Sequence, residues 1–73
     1  MVMYEAGMLA RSKAGHDKAQ MYIIKEVDDT YVYLVDGRIR TLGHPKKKKK
    51  KHVQIVHGIY NMKELDDAGI RKL

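Results

Sequence analysis

The 73-residue chain has no cysteine, no tryptophan and no phenylalanine, and only one proline and one serine. Each shortage excludes something. Without cysteine there is neither a disulfide nor a thiolate metal site to hold a small core together. Ser12 is the only serine, and its neighbours supply no base with an orienting acid, so nucleophilic catalysis has no candidate and the reading is non-enzymatic. The start, MVMYEAGMLARS, lacks a basic segment followed by a long apolar run, so no secretory signal is expected. No stretch reaches the roughly 18 apolar residues that cross a bilayer. These absences suit a cytoplasmic protein.

Four histidines are present, His16, His44, His52 and His57. They show neither a helical i, i+4 pair with a nearby glutamate nor a cysteine partner, so solvated or phosphate-contacting roles are expected, with no metal and no cofactor.

What the chain does have is charge of one sign in one place. Residues 1–45 carry six cations and six anions, and residues 52–73 carry three of each. The whole net charge of +6 is therefore the run Lys46, Lys47, Lys48, Lys49, Lys50 and Lys51, set between His44-Pro45 and His52. Such a block attracts a polyanion. If extended it would reach about 20 Å with side chains alternating, so half of them could face one partner. Phosphate contacts from these residues would dominate affinity and weaken steeply with salt. The competing role is an edge segment kept soluble by charge. Mutual repulsion predicts a run that is unordered without RNA.

The remaining pattern is that of short strands. MLARS (8–12) is short and apolar-leaning, and QMYIIKEV (20–27) and TYVYLV (30–35) are rich in β-branched and aromatic residues between turn formers. Asp28-Asp29 predicts a tight turn. Asp36-Gly37 predicts a type I′ hairpin leading into a further strand, RIRTL (38–42). HVQIVH (52–57) would close the sheet, ended by Gly58. Asn61 and Glu64 have capping-box spacing, Met62 and Leu65 would share a helical face, and a last turn could start at Asp66 or Asp67. A mainly β fold follows, a small antiparallel barrel or strongly curled sheet over residues 1–60 that includes the lysine run, with a short helical segment over 61–73.

On a strand, Arg38 and Arg40 would share a face about 6 to 7 Å apart, near the spacing of successive phosphates, although ordinary exposed positions serve as well. Tyr31 and Tyr33 would also share a face, fit either for base stacking or for cross-strand packing. With few aromatics and many cations, recognition of RNA by backbone and shape fits better than sequence readout.

The stretch GMLARSKAGHDKAQMYIIKEVDD (7–29) resembles a KOW motif: a glycine, a short strand, the SKAGHDK loop and a hydrophobic strand. With YVYLVDGRIRTL, PKKKKKKHVQ and the terminal AGIRKL, nearly the whole chain is similar to small bacterial KOW-domain RNA-binding proteins. Those resemble the archaeal and eukaryotic large-subunit ribosomal KOW proteins, especially the protein-fourteen family. Where the motif usually has glycine after Asp-Lys, this chain has Ala19. The resemblance implies an SH3-like barrel that binds ribosomal RNA, cytoplasmic and ribosome-associated, with neighbouring ribosomal proteins as further partners. It also implies that Lys13, Gly15, His16 and Lys18 form a nucleic-acid-facing loop, with Asp17 capping it internally. The expected RNA-contacting set is then Arg11, Lys13, Gly15, His16, Lys18, Arg38, Arg40, Lys46 to Lys51 and His52. The alternative function is a protein-interaction module of the transcription or translation machinery.

Overall fold

The computed structural model describes residues 3–13 and 20–72, and for His57 the backbone alone. Five strands form: β1 Met8–Ser12, β2 Met21–Val27, β3 Tyr31–Val35, β4 Lys46–Lys49 and β5 Val53–Ile59. They make one antiparallel sheet in the order β4-β3-β2-β1-β5, curled into a half-barrel, the mainly β, SH3-like class expected. A 3-10 turn, Lys50–His52, carries the chain from β4 into β5. A second, Met62–Glu64, precedes the short helix α1, Asp67–Arg71.

The curl has local causes. The β2–β3 register shifts between Ile24 and Glu26, and the β1–β5 register shifts between Met8 and Leu9. Each extra residue bends its strand and adds twist. Gly58, at φ +121, lies within the second irregularity, which is why β5 runs past it to Ile59 instead of ending there.

Tyr22, Ile23 and Ile24 are buried in succession, which requires cover on both faces of β2. Inside the barrel, Ala10, Tyr22, Ile24, Val32, Leu34 and Val53 pack together. Outside it, Ile23 and Val35 are covered by Ile70 of α1, with Met62 and Leu65 from the preceding segment beside them. Removing an aliphatic side chain of this kind from water contributes about 1.5–3 kcal/mol. The C-terminal segment is thus the lid of a second core. Its caps are local: Asp66 accepts from the Gly69 amide at 2.7 Å, and Asn61 from the Lys63 amide at 3.0 Å. Asn61 therefore caps a 3-10 turn rather than the capping box that its spacing to Glu64 suggested.

Two expectations fail together. RIRTL is not a strand, and Asp36-Gly37 does not make a two-residue hairpin. The Asp36 carboxylate accepts from the amides of Arg38, at 2.8 Å, and Arg40, at 3.0 Å. The amides of Asp36 and Gly37 both donate to the Arg40 carbonyl, at 2.8 and 3.2 Å. Local side-chain-to-backbone bonding has won over strand pairing. The partner that β3 would have found in RIRTL is β4 instead. Among the described residues no helix is long and apolar enough to cross a membrane.

Candidate nucleic-acid interface

Four of the six lysines, Lys46–Lys49, form β4, one of the sheet's two edge strands. Lys46 pairs with Leu34, Lys47 with Tyr33, Lys48 with Val32 and Lys49 with Tyr31. Partners directly opposite share a face, so Lys46 and Lys48 take the barrel side with Leu34 and Val32, while Lys47 and Lys49 take the outer side with the two tyrosines. Exposure alternates accordingly.

The inward lysines are engaged. The Lys46 ammonium lies 5.8 Å from the centre of the buried Tyr22 ring. Lys48 Nζ donates to Ser12 Oγ at 2.6 Å, and Ser12 is only 2% exposed. Lys50 is clasped from several sides. Its amide donates to Thr30 O at 3.0 Å and its Nζ to Asp29 O at 3.2 Å. Tyr4 Oη donates to the Lys50 carbonyl at 2.9 Å, and the Lys50 ammonium lies 5.8 Å from the Tyr4 ring centre. These contacts explain why the run is not unordered, as repulsion alone predicted: ladder pairing and internal acceptors separate the charges onto two faces. The sequence held no sign of Tyr4's part, because nothing local links it to a residue so distant in the chain.

Lys47, Lys49 and Lys51 are the exposed members. The Lys47 ammonium sits 4.2 Å from the centre of the Tyr31 ring, a cation–π contact. Tyr33 Oη donates to Asp28 at 2.9 Å. Both tyrosines are therefore engaged in cross-strand and turn packing, the second of the two roles open to them. Glu26, opposite Tyr33, and Asp28 border the strip on the β2 side.

Asp28 organises the β2–β3 turn. Its carboxylate accepts from the amides of Tyr31, at 2.6 Å, and Thr30, at 2.9 Å. These two bonds hold its pKa below the ordinary 3.8, with Tyr33 and the charge of Lys47 assisting. In return the bond to Asp28 raises the Tyr33 pKa, and burial adds to that. A lowered carboxyl pKa stabilises the fold above the unfolded value and loses that contribution as pH falls toward the folded one. Asp28→Asn should therefore melt below the wild type at neutral pH, with the gap closing on acidification through pH 3.8 and below. Circular-dichroism melts across that range check it; a gap that stays constant means the ionised form is not what the turn uses.

The other expected contacts divide. Arg11 is exposed, and its Nε donates to Gln54 Oε1 at 3.3 Å. Lys13 is exposed, and its amide donates to the carbonyl of His52 at 2.9 Å, which joins the foot of the β1–β2 loop to the end of the lysine run. At the loop's other foot, Gln20 Nε2 donates to Asp36 Oδ2 at 3.4 Å, beside the loop that carries Arg38 and Arg40. Gly15, His16, Asp17, Lys18 and Ala19 lie outside the described residues. Arg38 and Arg40 are exposed but sit on a loop, so the shared strand face expected of them does not exist. His52 is exposed at the end of the 3-10 turn. Among the described residues no three His, Asp or Glu side chains come together as a metal-holding group. The chain matches no family model and no curated protein.

Proposed function

We propose that the protein is a non-catalytic RNA-binding protein of the KOW type, which binds ribosomal RNA as a large-subunit component or ribosome-associated factor. One observation carries this reading. The β1–β2 loop has its first foot tied to the end of the lysine run through Lys13 and His52, and its second foot tied to the Arg38–Arg40 loop through Gln20 and Asp36. Cations from distant parts of the chain, namely Arg11, Lys13 and Lys51, with His52 beside them, at the first foot and Arg38 and Arg40 at the second, therefore stand at the two feet of one loop. Lys47 and Lys49 extend the first group along the outer face of β4. Such a border suits phosphates brought together by RNA tertiary folding better than one regular duplex.

Binding to ribosomal RNA or isolated large subunits, compared with arbitrary duplex and single-stranded RNA, tests the proposal. Ribosomal RNA should bind more tightly than duplex of equal length, with a strong salt dependence. Equal affinity for both removes the ribosomal part. The alternative, a protein-interaction module, is favoured by exposed Ile59, the last residue of β5, and Tyr60 directly after it. It predicts a complex with a ribosomal or transcription protein that survives high salt after the six lysines become glutamine.

A further inference from the structure

The loop between β3 and β4 presents an aliphatic side chain where loops present polar ones. Ile39 is 84% exposed, the most exposed of the large apolar residues described. Its loop is nonetheless fixed. Asp36 receives the amides of Arg38 and Arg40, and the Arg40 carbonyl receives those of Asp36 and Gly37. Gly37 is packed against the backbone of α1, and the loop's far side is pinned where the Leu42 amide donates to Asp67 Oδ1 at 2.8 Å and Lys25 Nζ donates to Leu42 O at 2.7 Å. Holding Ile39 in water serves no fold contact. On either side of it stand Arg38 and Arg40, exposed and, among the described residues, without a side-chain hydrogen-bond partner.

An aliphatic group held rigidly between two guanidiniums matches a nucleic-acid backbone at a disrupted base step. The apolar side chain enters beside an unstacked base, and the charges meet the phosphates before and after it. We propose that the Arg38-Ile39-Arg40 tip is a wedge that selects RNA helices interrupted by unpaired nucleotides. This rests on the RNA-binding reading and adds to it the kind of RNA preferred. A membrane would need more apolar neighbours than one isoleucine. A protein partner would have to bring carboxylates to both arginines, and the surrounding border of cations favours the phosphate polymer.

The test uses two hairpin RNAs that differ only in a bulge, with a fluorescent purine analogue at the bulge and at the matching paired position. Wild-type protein should bind the bulged hairpin about tenfold more tightly, the effect of covering one aliphatic side chain, and should raise the bulge fluorescence by unstacking. Ile39→Ser should melt as the wild type does and keep its salt slope, yet bind both hairpins alike with no fluorescence rise. Arg38→Gln with Arg40→Gln should lower the salt slope by about 1.5. Wild-type indifference to the bulge, or a preference that survives in Ile39→Ser, overturns the wedge. In either case the RNA-binding reading stands if substitutions in the lysine strip still flatten the salt dependence. Failure of the wild type to bind either hairpin overturns both.

Discussion

Gly37→Val should be among the most damaging single substitutions in the described part of the protein. A Cβ at this position would lie 2.2 Å from the Asp67 carbonyl oxygen and 2.9 Å from the Arg71 amide, both backbone atoms of α1. Neither can rotate away. The residue also sits at φ +77, a left-handed conformation that costs an L residue about 1–2 kcal/mol and a β-branched one more. To relieve the contact α1 must move, and Ile70 then no longer covers Ile23 and Val35. We expect a loss of at least about 3 kcal/mol, a large share of what a domain of this size possesses. That corresponds to a drop in melting temperature of roughly 12–24 °C. Gly43→Ala is the control, because a Cβ there meets nothing within 4 Å. A Gly37→Val protein that melts with the wild type would falsify the packing of this loop on α1.

The second large effect concerns the two sides of the lysine run. Changing Lys47, Lys49 and Lys51 to glutamine should leave the fold intact, since all three are exposed. RNA affinity at low salt should fall on the order of a hundredfold, and the slope of log affinity against log salt should become shallower by about 2–3. Changing Lys46, Lys48 and Lys50 should do the reverse. Those side chains hold Tyr22, Ser12 and the Asp29 carbonyl, so the melting temperature should fall while the salt slope changes less. Titrations at several salt concentrations, paired with thermal melts, separate the two sets. Identical behaviour of both triples would mean that the alternation of β4 has no bearing on binding.

β2 and β3 were legible because their Val, Ile and Tyr content is bounded by turn formers, β1 from its short apolar lean alone, and the Asp28 turn because a carboxylate there can cap the next amides. The last helix was legible from Asp66 and Asp67 for the same reason. The stretch Arg38–Leu42 was misread because its residues have strand composition, whereas the decisive bonds run from the Asp36 carboxylate to two amides and from Asp67 to Leu42. The first of these competes locally with the hairpin, and the second requires the tertiary fold. The place of β4 was illegible for a different cause. A strand is recognised by alternation, and a homopolymer has none; only the tyrosines and aliphatics of β3 opposite it divide the lysines into inner and outer sets. For the candidate interface, the outward half of the run followed from extended geometry, but the joining of Lys13 to His52 and of Gln20 to Asp36 depends on the curl of the sheet.

Because every residue of β4 is the same, deleting any one of the six lysines yields an identical chain. The tract therefore specifies a single quantity, its length. Sliding the strand by one step would exchange like for like in each inner and outer place, so side-chain identity supplies no lock on alignment. That lock must come from the boundaries: Pro45 before the tract, and after it His52, whose carbonyl accepts from the Lys13 amide, with the buried Val53 behind it.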